Sequence, residues 1–222
     1  MDISKKGGIF MNYFTQILNE LKELKGATIM ILLALVGISI LLAYAGKNKK
    51  TSTKVLVYGG LCIAMSFVLS YIRLYHWPQG GSITPGSMLP MFIFAFIFGP
   101  RAGLIAGTAY GFLQFIQDPY VVHWAQVLLD YPIAFAAMGL AGLNRRHLPA
   151  SVLIGGFGRF MAHFISGFVF FGMYAPEGMN PIWYSLTVNL TLMGTETAIC
   201  LAISLIPQFR SAIEKLKNNA IV

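Results

Sequence analysis

The sequence predicts an all-α polytopic membrane protein, and three observations predict it. Charge is scarce: Asp, Glu, Lys and Arg make up 11% of the 222 residues, against about 25% in a soluble domain. Apolar residues make up 56% and the mean hydropathy is +0.68, which leaves too little polar surface to cover a water-soluble globule. Apolar stretches of roughly 17 to 25 residues recur, the length a helix needs to cross a bilayer. The alternating strands of a membrane barrel are absent. The net charge of +8 sits in short connections between apolar runs, so it reports topology and implies no nucleic-acid partner.

Taken in order, residues 1–26 form an N-terminal segment of mixed character. Phe14, Ile17, Leu18, Leu21 and Leu24 recur there at helical spacing. Two readings stay open, an amphipathic helix on membrane lipid and a solvated helix. Residues 27–46 hold a first apolar span. It ends in "AYAG", a sequence like a signal-peptidase site, but the run is longer than a signal core and its leader carries both charge signs. A retained, extra transmembrane helix is expected. The basic loop "KNKKTSTK" follows.

Six further spans read as Val55–Leu74, Ser87–Phe98, Ala102–Gln117, Val122–Leu143, Ala150–Met173 and Ile182–Ile206. Ser87–Phe98 is short for a crossing and is expected to continue backward into the Gly-rich loop before it. With the first span that makes seven, or six plus an added N-terminal one, before a tail at 209–222. Lys and Arg concentrate in "KNKKTSTK", "GPR", "NRRH" and the tail. The positive-inside rule places these in the cytoplasm, the C-terminus among them.

Helices in lipid meet through small residues that let backbones approach. Gly103, Gly107 and Gly111 form one such stripe, Ala137, Gly139, Ala141 and Gly142 another, and both are expected to pack internally. Gly60 and Ala64 form a third pair, suited to internal packing or to docking of another membrane subunit. Cys62 and Cys200 lie inside apolar spans with no metal or disulfide spacing. No metal and no cofactor is expected.

Ionisable groups at membrane depth are candidate functional groups. There are four: Asp130, Arg159, His163 and Glu196. At the helical rise, Asp130 lies roughly 12 Å, His163 roughly 15 Å and Asn189 roughly 10 Å from the outer ends of their spans. The three are expected to share an outer-half pocket. Arg159 and Glu196 lie deeper on successive antiparallel spans, and are expected to form a buried structural ion pair. Asp130 has no basic residue at matching depth except Arg73. Tyr110, Tyr120, Tyr131, Phe171, Tyr174, Trp183 and Tyr184 stand near its level. A carboxylate among aromatic faces suits an organic cation, while an interfacial aromatic belt around a protonated Asp130 is the other reading. No GxxxxGK loop, GxSxG elbow or HExxH pair occurs, so neither nucleotide hydrolysis nor those hydrolytic chemistries are expected.

The stretch "HWPQGGSITPGSMLPMFIFAFIFGPRAGLIAGTAYGFLQFIQDPYVVHWAQVLLDYPIAFAAMGLAGL", with the later "HFISGFVFFGMYAPEGMNPIWYSLTVN", closely resembles the thiamine-specific substrate-binding subunits (S components) of energy-coupling factor (ECF) transporters. The resemblance covers roughly Thr53 to Gln208. "PQGGSIT", "LLDYP" and "YSLTVN" carry its specificity in combination. It implies one six-helix membrane domain over 53–208, an S-component bundle, plus one extra N-terminal hydrophobic helix. It implies high-affinity binding of thiamine without enzymatic activity. It also implies partnership with an ECF coupling transmembrane subunit and two cytoplasmic ATPase subunits, with the coupling subunit on the Gly60–Ala64 face. The family's binding residues fall on Asp130, Tyr131, His163, Tyr184, Asn189, Tyr120, Tyr110 and Phe171. Asp130 is shorter than the Glu that members can carry there, and Phe171 replaces a Trp. The loop His76–Gly86 is expected to act as a lid. An S component for another vitamin, or a membrane enzyme using Asp130 and His163 as acid and base, are the rival readings.

Overall fold

The computed structural model describes residues 52–221. The N-terminal segment 1–26 and the extra span 27–46 lie outside the described residues. Helix α1 spans Thr53–Ser70, and the Ser52 hydroxyl caps its N-terminus by accepting from the Val55 N–H. A two-stranded antiparallel hairpin follows, β1 (Tyr75–His76) paired with β2 (Ser82–Ile83). Its turn runs through Gly80 and Gly81, both at φ +88°, a conformation that side chains disfavour. Then come α2 (Leu89–Phe98), α3 (Pro100–Gln117), α4 (Trp124–Leu143), α5 (Leu148–Phe170), α6 (Pro181–Leu205) and α7 (Pro207–Ile221). Among the described residues, α1, α4, α5 and α6 are long and apolar enough to cross a membrane.

The core forms around α2. Its sequence, "LPMFIFAFIF", has no polar residue, and eight of its ten positions are buried. A helix apolar all round belongs inside a bundle. Phe92 and Phe94 meet Tyr110 of α3, Phe135 and Met138 of α4, Val152 of α5 and Cys200 of α6 in one cluster. At ten residues α2 is roughly 15 Å long, half the hydrocarbon thickness. The expected backward extension into the Gly-rich loop is not found: the helix starts at Leu89. Gly86 turns the chain at φ +105°, and Thr84 and Ser87 stay out of the helix, where their hydroxyls reach Glu196.

The glycine stripe of α3 lies flush on α4. A Cβ at Gly103 would meet Gly139, one at Gly107 would meet Phe135 and Ala136, and one at Gly111 would meet Tyr131 and Pro132, in each case backbone atoms. The close approach expected of this stripe is therefore internal packing, with Gly139 and Gly142 supplying the α4 side. Because α4 cannot yield locally, Gly107→Ala is expected to lower stability by about 1–3 kcal/mol, the usual cost of overpacking. An unchanged melting temperature in detergent would show that the two backbones are not held together here.

At the C-terminal end of α2 two basic side chains, Arg145 and Lys217, come together. The Arg145 guanidinium bonds the carbonyls of Phe96 and Ile97, capping the last turn of α2. Lys217 of α7 bonds the Arg145 carbonyl and lies over the Phe96 ring, 4.6 Å from its centre. Partial burial, with Arg145 nearby, pulls the Lys217 ammonium below its usual pKa, while Glu214 opposes the shift. Residues 209–222, read from sequence as a tail, belong mostly to this helix. Phe209, Ile213, Leu216 and Ala220 recur at helical spacing and pack against Phe96, Ile97 and Leu148.

Of the four helices long enough to cross a membrane, α1 is the least buried, with only Gly59, Ser66 and Ser70 fully covered. Its outer face carries exposed Leu56, Val57, Leu61, Met65 and Val68 beside Gly60 and Ala64. Among the described residues, a Cβ at Gly60 would touch nothing within 4 Å, so Gly60 is not needed for packing between them.

Candidate functional site

A cavity opens at the hairpin end and runs inward among α3, α4, α5 and α6. All eight sequence-derived binding candidates line it, and so do Arg159 and Glu196. Its construction starts with two irregular turns. α4 begins where the His123 ring accepts from the Ala125 N–H. Five residues on it widens into a π-helical turn, Leu129–Ile133. Pro132 lies in that turn and has no N–H to continue the α ladder. Asp130 and Tyr131 both sit on this bulge. α6 widens in the same way over Leu190–Gly194, between Asn189 and Glu196. Such turns re-aim side chains and concentrate at functional sites.

Asp130 is not the unpartnered carboxylate that the sequence suggested. Its Oδ1 lies 3.1 Å from His163 Nδ1, and its Oδ2 accepts from Gln126 Nε2 at 2.7 Å. Arg73, the one basic residue considered for it, instead pairs with Asp118 at 3.0 Å at the cavity mouth, with His76 beside them. Arg159 Nε donates to His163 Nε2 at 3.5 Å across one turn of α5. A bond accepted at Nε2 puts the neutral ring's proton on Nδ1, directed at Asp130.

The expected contact of Arg159 with Glu196 is present at 3.8 Å. It is not separate from the outer set. Arg159 joins Glu196 on α6 to His163 on the same polar path, and its guanidinium lies 4.2 Å from the centre of the Phe135 ring. Glu196, 1% exposed, also accepts from Ser87 Oγ at 2.7 Å and from the Thr84 hydroxyl. A buried carboxylate needs such a set of donors.

Asn189 spends its amide hydrogens on the His163 carbonyl (3.3 Å), the Ser185 carbonyl (2.9 Å) and Ser185 Oγ (3.2 Å). The carbonyl oxygen is the amide's remaining polar atom. Ser185 in turn bonds the Phe164 carbonyl, where Gly167 leaves room for α6 to approach α5. Tyr131 donates to the Asp118 carbonyl at 2.7 Å and accepts from the Tyr120 N–H at 2.8 Å. Its ring, edge-on to Phe115, stays at the wall. Tyr120 stacks on Phe171 at 5.8 Å between centres and bonds the Tyr174 hydroxyl at 2.9 Å. That hydroxyl contact, with some burial, pushes the Tyr120 phenol up to about 12. Tyr110 forms the inner wall, but its hydroxyl is taken by the Ser66 carbonyl at 3.0 Å. Tyr184 lines the cavity from α6, whereas Trp183 points away and is exposed.

Sequence reasoning missed several lining groups. Gln126 is one helical turn before Asp130, the spacing at which Gln–Asp pairs form, so the local signal existed. Thr84, Ser87, Asp118 and Gln114 carried no local signal; only the fold brings them in. Among the described residues, no group of three or more His, Cys, Asp or Glu side chains is arranged to hold a metal.

Fold and site together define a helical membrane protein with an aromatic-walled cavity whose carboxylate suits an organic cation. The chain belongs to the thiamine transporter protein family (Thia_YuaJ), whose model matches residues 56–215. It is similar to the thiamine transporter ThiT of Bacillus subtilis (strain 168), 39% identical over 160 residues that span 64% of this chain and 82% of that protein. It is similar also to ThiT of Lacticaseibacillus paracasei, 36% identical over 104 residues, 40% of this chain and 52% of that one. A solved structure of ThiT from Listeria monocytogenes shares the fold, with a TM-score of 0.60 and 24% identity, covering 70% of this chain and 96% of that one. The chain is accordingly a multi-pass membrane protein.

Proposed function

We propose that this chain captures thiamine and carries it into the cell as the substrate-binding membrane subunit of an ECF transporter. The observation that carries this reading is Asp130, a carboxylate held at membrane depth inside an aromatic-walled cavity. Family membership supports thiamine as the cargo. Thiamine pairs a permanent thiazolium cation with a polar aminopyrimidine. Asp130 balances the cation. Tyr120 and Phe171 offer stacking faces, joined by the rings of Tyr110, Tyr131 and Tyr184. His163 and the Asn189 carbonyl meet the pyrimidine's polar edge. Arg159 and Glu196 hold the floor.

The hairpin end faces outside, and the hairpin acts as the lid over the mouth. The basic end and the C-terminus face the cytoplasm, as the positive-inside rule directs. The face of α1 around Gly60 and Ala64 receives the coupling subunit, which links the chain to two cytoplasmic ATPases. The membrane domain is 53–208, with 27–46 as an added helix and 1–26 before it.

The test is binding by the detergent-solubilised chain. Mass spectrometry of the co-purifying small molecule is expected to return thiamine. Labelled thiamine is expected to be displaced by excess thiamine and not by riboflavin, which is neutral and has no use for Asp130. Displacement by riboflavin at equal concentration would assign the chain to another vitamin.

A further inference from the structure

Gln126 is an unusual residue to bury. Its side chain is polar and 1% exposed, near the outer end of α4. A buried amide is costly unless its groups are bonded. Here its Nε2 donates to Asp130 Oδ2 at 2.7 Å and to the Tyr120 carbonyl at 3.1 Å. Its Oε1 accepts from the Val122 N–H at 3.0 Å. One partner is thus the carboxylate, and the other two lie on the connection that carries the Tyr120 ring over the cavity.

We infer that Gln126 is a positioning residue for cation binding, fixing the Asp130 carboxylate and fastening it to the Tyr120 segment so that charge and stacking ring are presented together. The inference rests on the thiamine reading above. Of the two carboxylate oxygens, His163 holds only Oδ1. Without Gln126 the carboxylate can turn about its last torsion, which is intrinsically broad. The second oxygen then loses its fixed direction toward a bound cation. Tyr131 secures the same segment through the Asp118 carbonyl and the Tyr120 N–H, so Gln126 is not the segment's sole support. Its distinct contribution is the link to Asp130.

Two ligands separate positioning from mere support: thiamine, and its thiophene isostere, which keeps the shape and lacks the ring charge. Gln126→Leu removes every bond at nearly constant volume. It is expected to weaken thiamine by about 10- to 100-fold, the scale of a lost hydrogen bond to a charged group. The isostere is expected to lose less than about threefold. Gln126→Asn keeps an amide but is one methylene too short to span from Asp130 to the Tyr120 carbonyl. It is expected to show the same preference at smaller size, and it carries the test if Gln126→Leu does not fold. Equal losses for both ligands, or no loss in either variant, would overturn the inference. A parent chain that prefers riboflavin would instead overturn the thiamine reading itself.

Discussion

Asp130→Asn is expected to abolish tight thiamine binding while the protein still folds. Removing one partner of a desolvated charge pair costs about 2–5 kcal/mol of binding. At 1.4 kcal/mol per decade, that is roughly a 30- to 4,000-fold rise in Kd. Part of the effect is local. Gln126 and the His163 Nδ1–H both donate to this carboxylate, and an asparagine offers only one acceptor oxygen. Asp130→Glu keeps the charge and is expected to retain most of the affinity. Titration calorimetry of the three proteins decides the matter. If the Asn variant binds as tightly as the parent, Asp130 does not meet the cation. If the Glu variant is as weak as the Asn variant, geometry and not charge is what the site requires.

Glu196→Gln is expected to damage the fold rather than the affinity alone. The variant leaves the Arg159 guanidinium buried with no opposing charge, and such stranding costs about 3–5 kcal/mol. Thr84 and Ser87 both donate to Oε1, and a glutamine can still accept from them there, so the loss isolates the charge. Arg159→Met combined with Glu196→Gln removes both charges and is expected to recover part of the stability, because neighbouring groups in one network do not add. Melting in detergent measures the parent and both variants. A Glu196→Gln protein that melts with the parent would mean that the 3.8 Å contact is incidental.

The helices were legible because each apolar run ends at a glycine, a proline or a basic loop. What failed was the start of α2, where glycines and a proline were present but no charge marked the boundary. The loop before α2 has no charge from Gly80 to Met88, so hydropathy alone could not separate it from the helix. The hydroxyls that hold Thr84 and Ser87 out of the helix answer to Glu196, more than a hundred residues later. Depth along the spans placed Asp130, His163 and Asn189 at one level, and the structure puts them within one cavity. Rotation about each helix axis was not legible, and rotation decides that His163 faces Asp130. The two π-helical turns add to this. Pro132 marked the first, but "LTLMG" carries no comparable signal for the second. The α7 spacing from Phe209 to Ala220 was present in the sequence and was read too simply as a tail.

The carboxylates in the cavity all have partners within the chain: hydrogen bonds from His163 and Gln126 hold Asp130, and guanidinium groups pair with Glu196 and Asp118, from Arg159 and Arg73 respectively. A protein whose buried carboxylate had no partner but its cargo would be held in place only as that cargo became abundant, by mass action. Its lifetime would then be shortest in a famine. With its own counter-groups built in, this chain can persist through scarcity, the condition under which a scavenger of a trace nutrient is most useful to the cell.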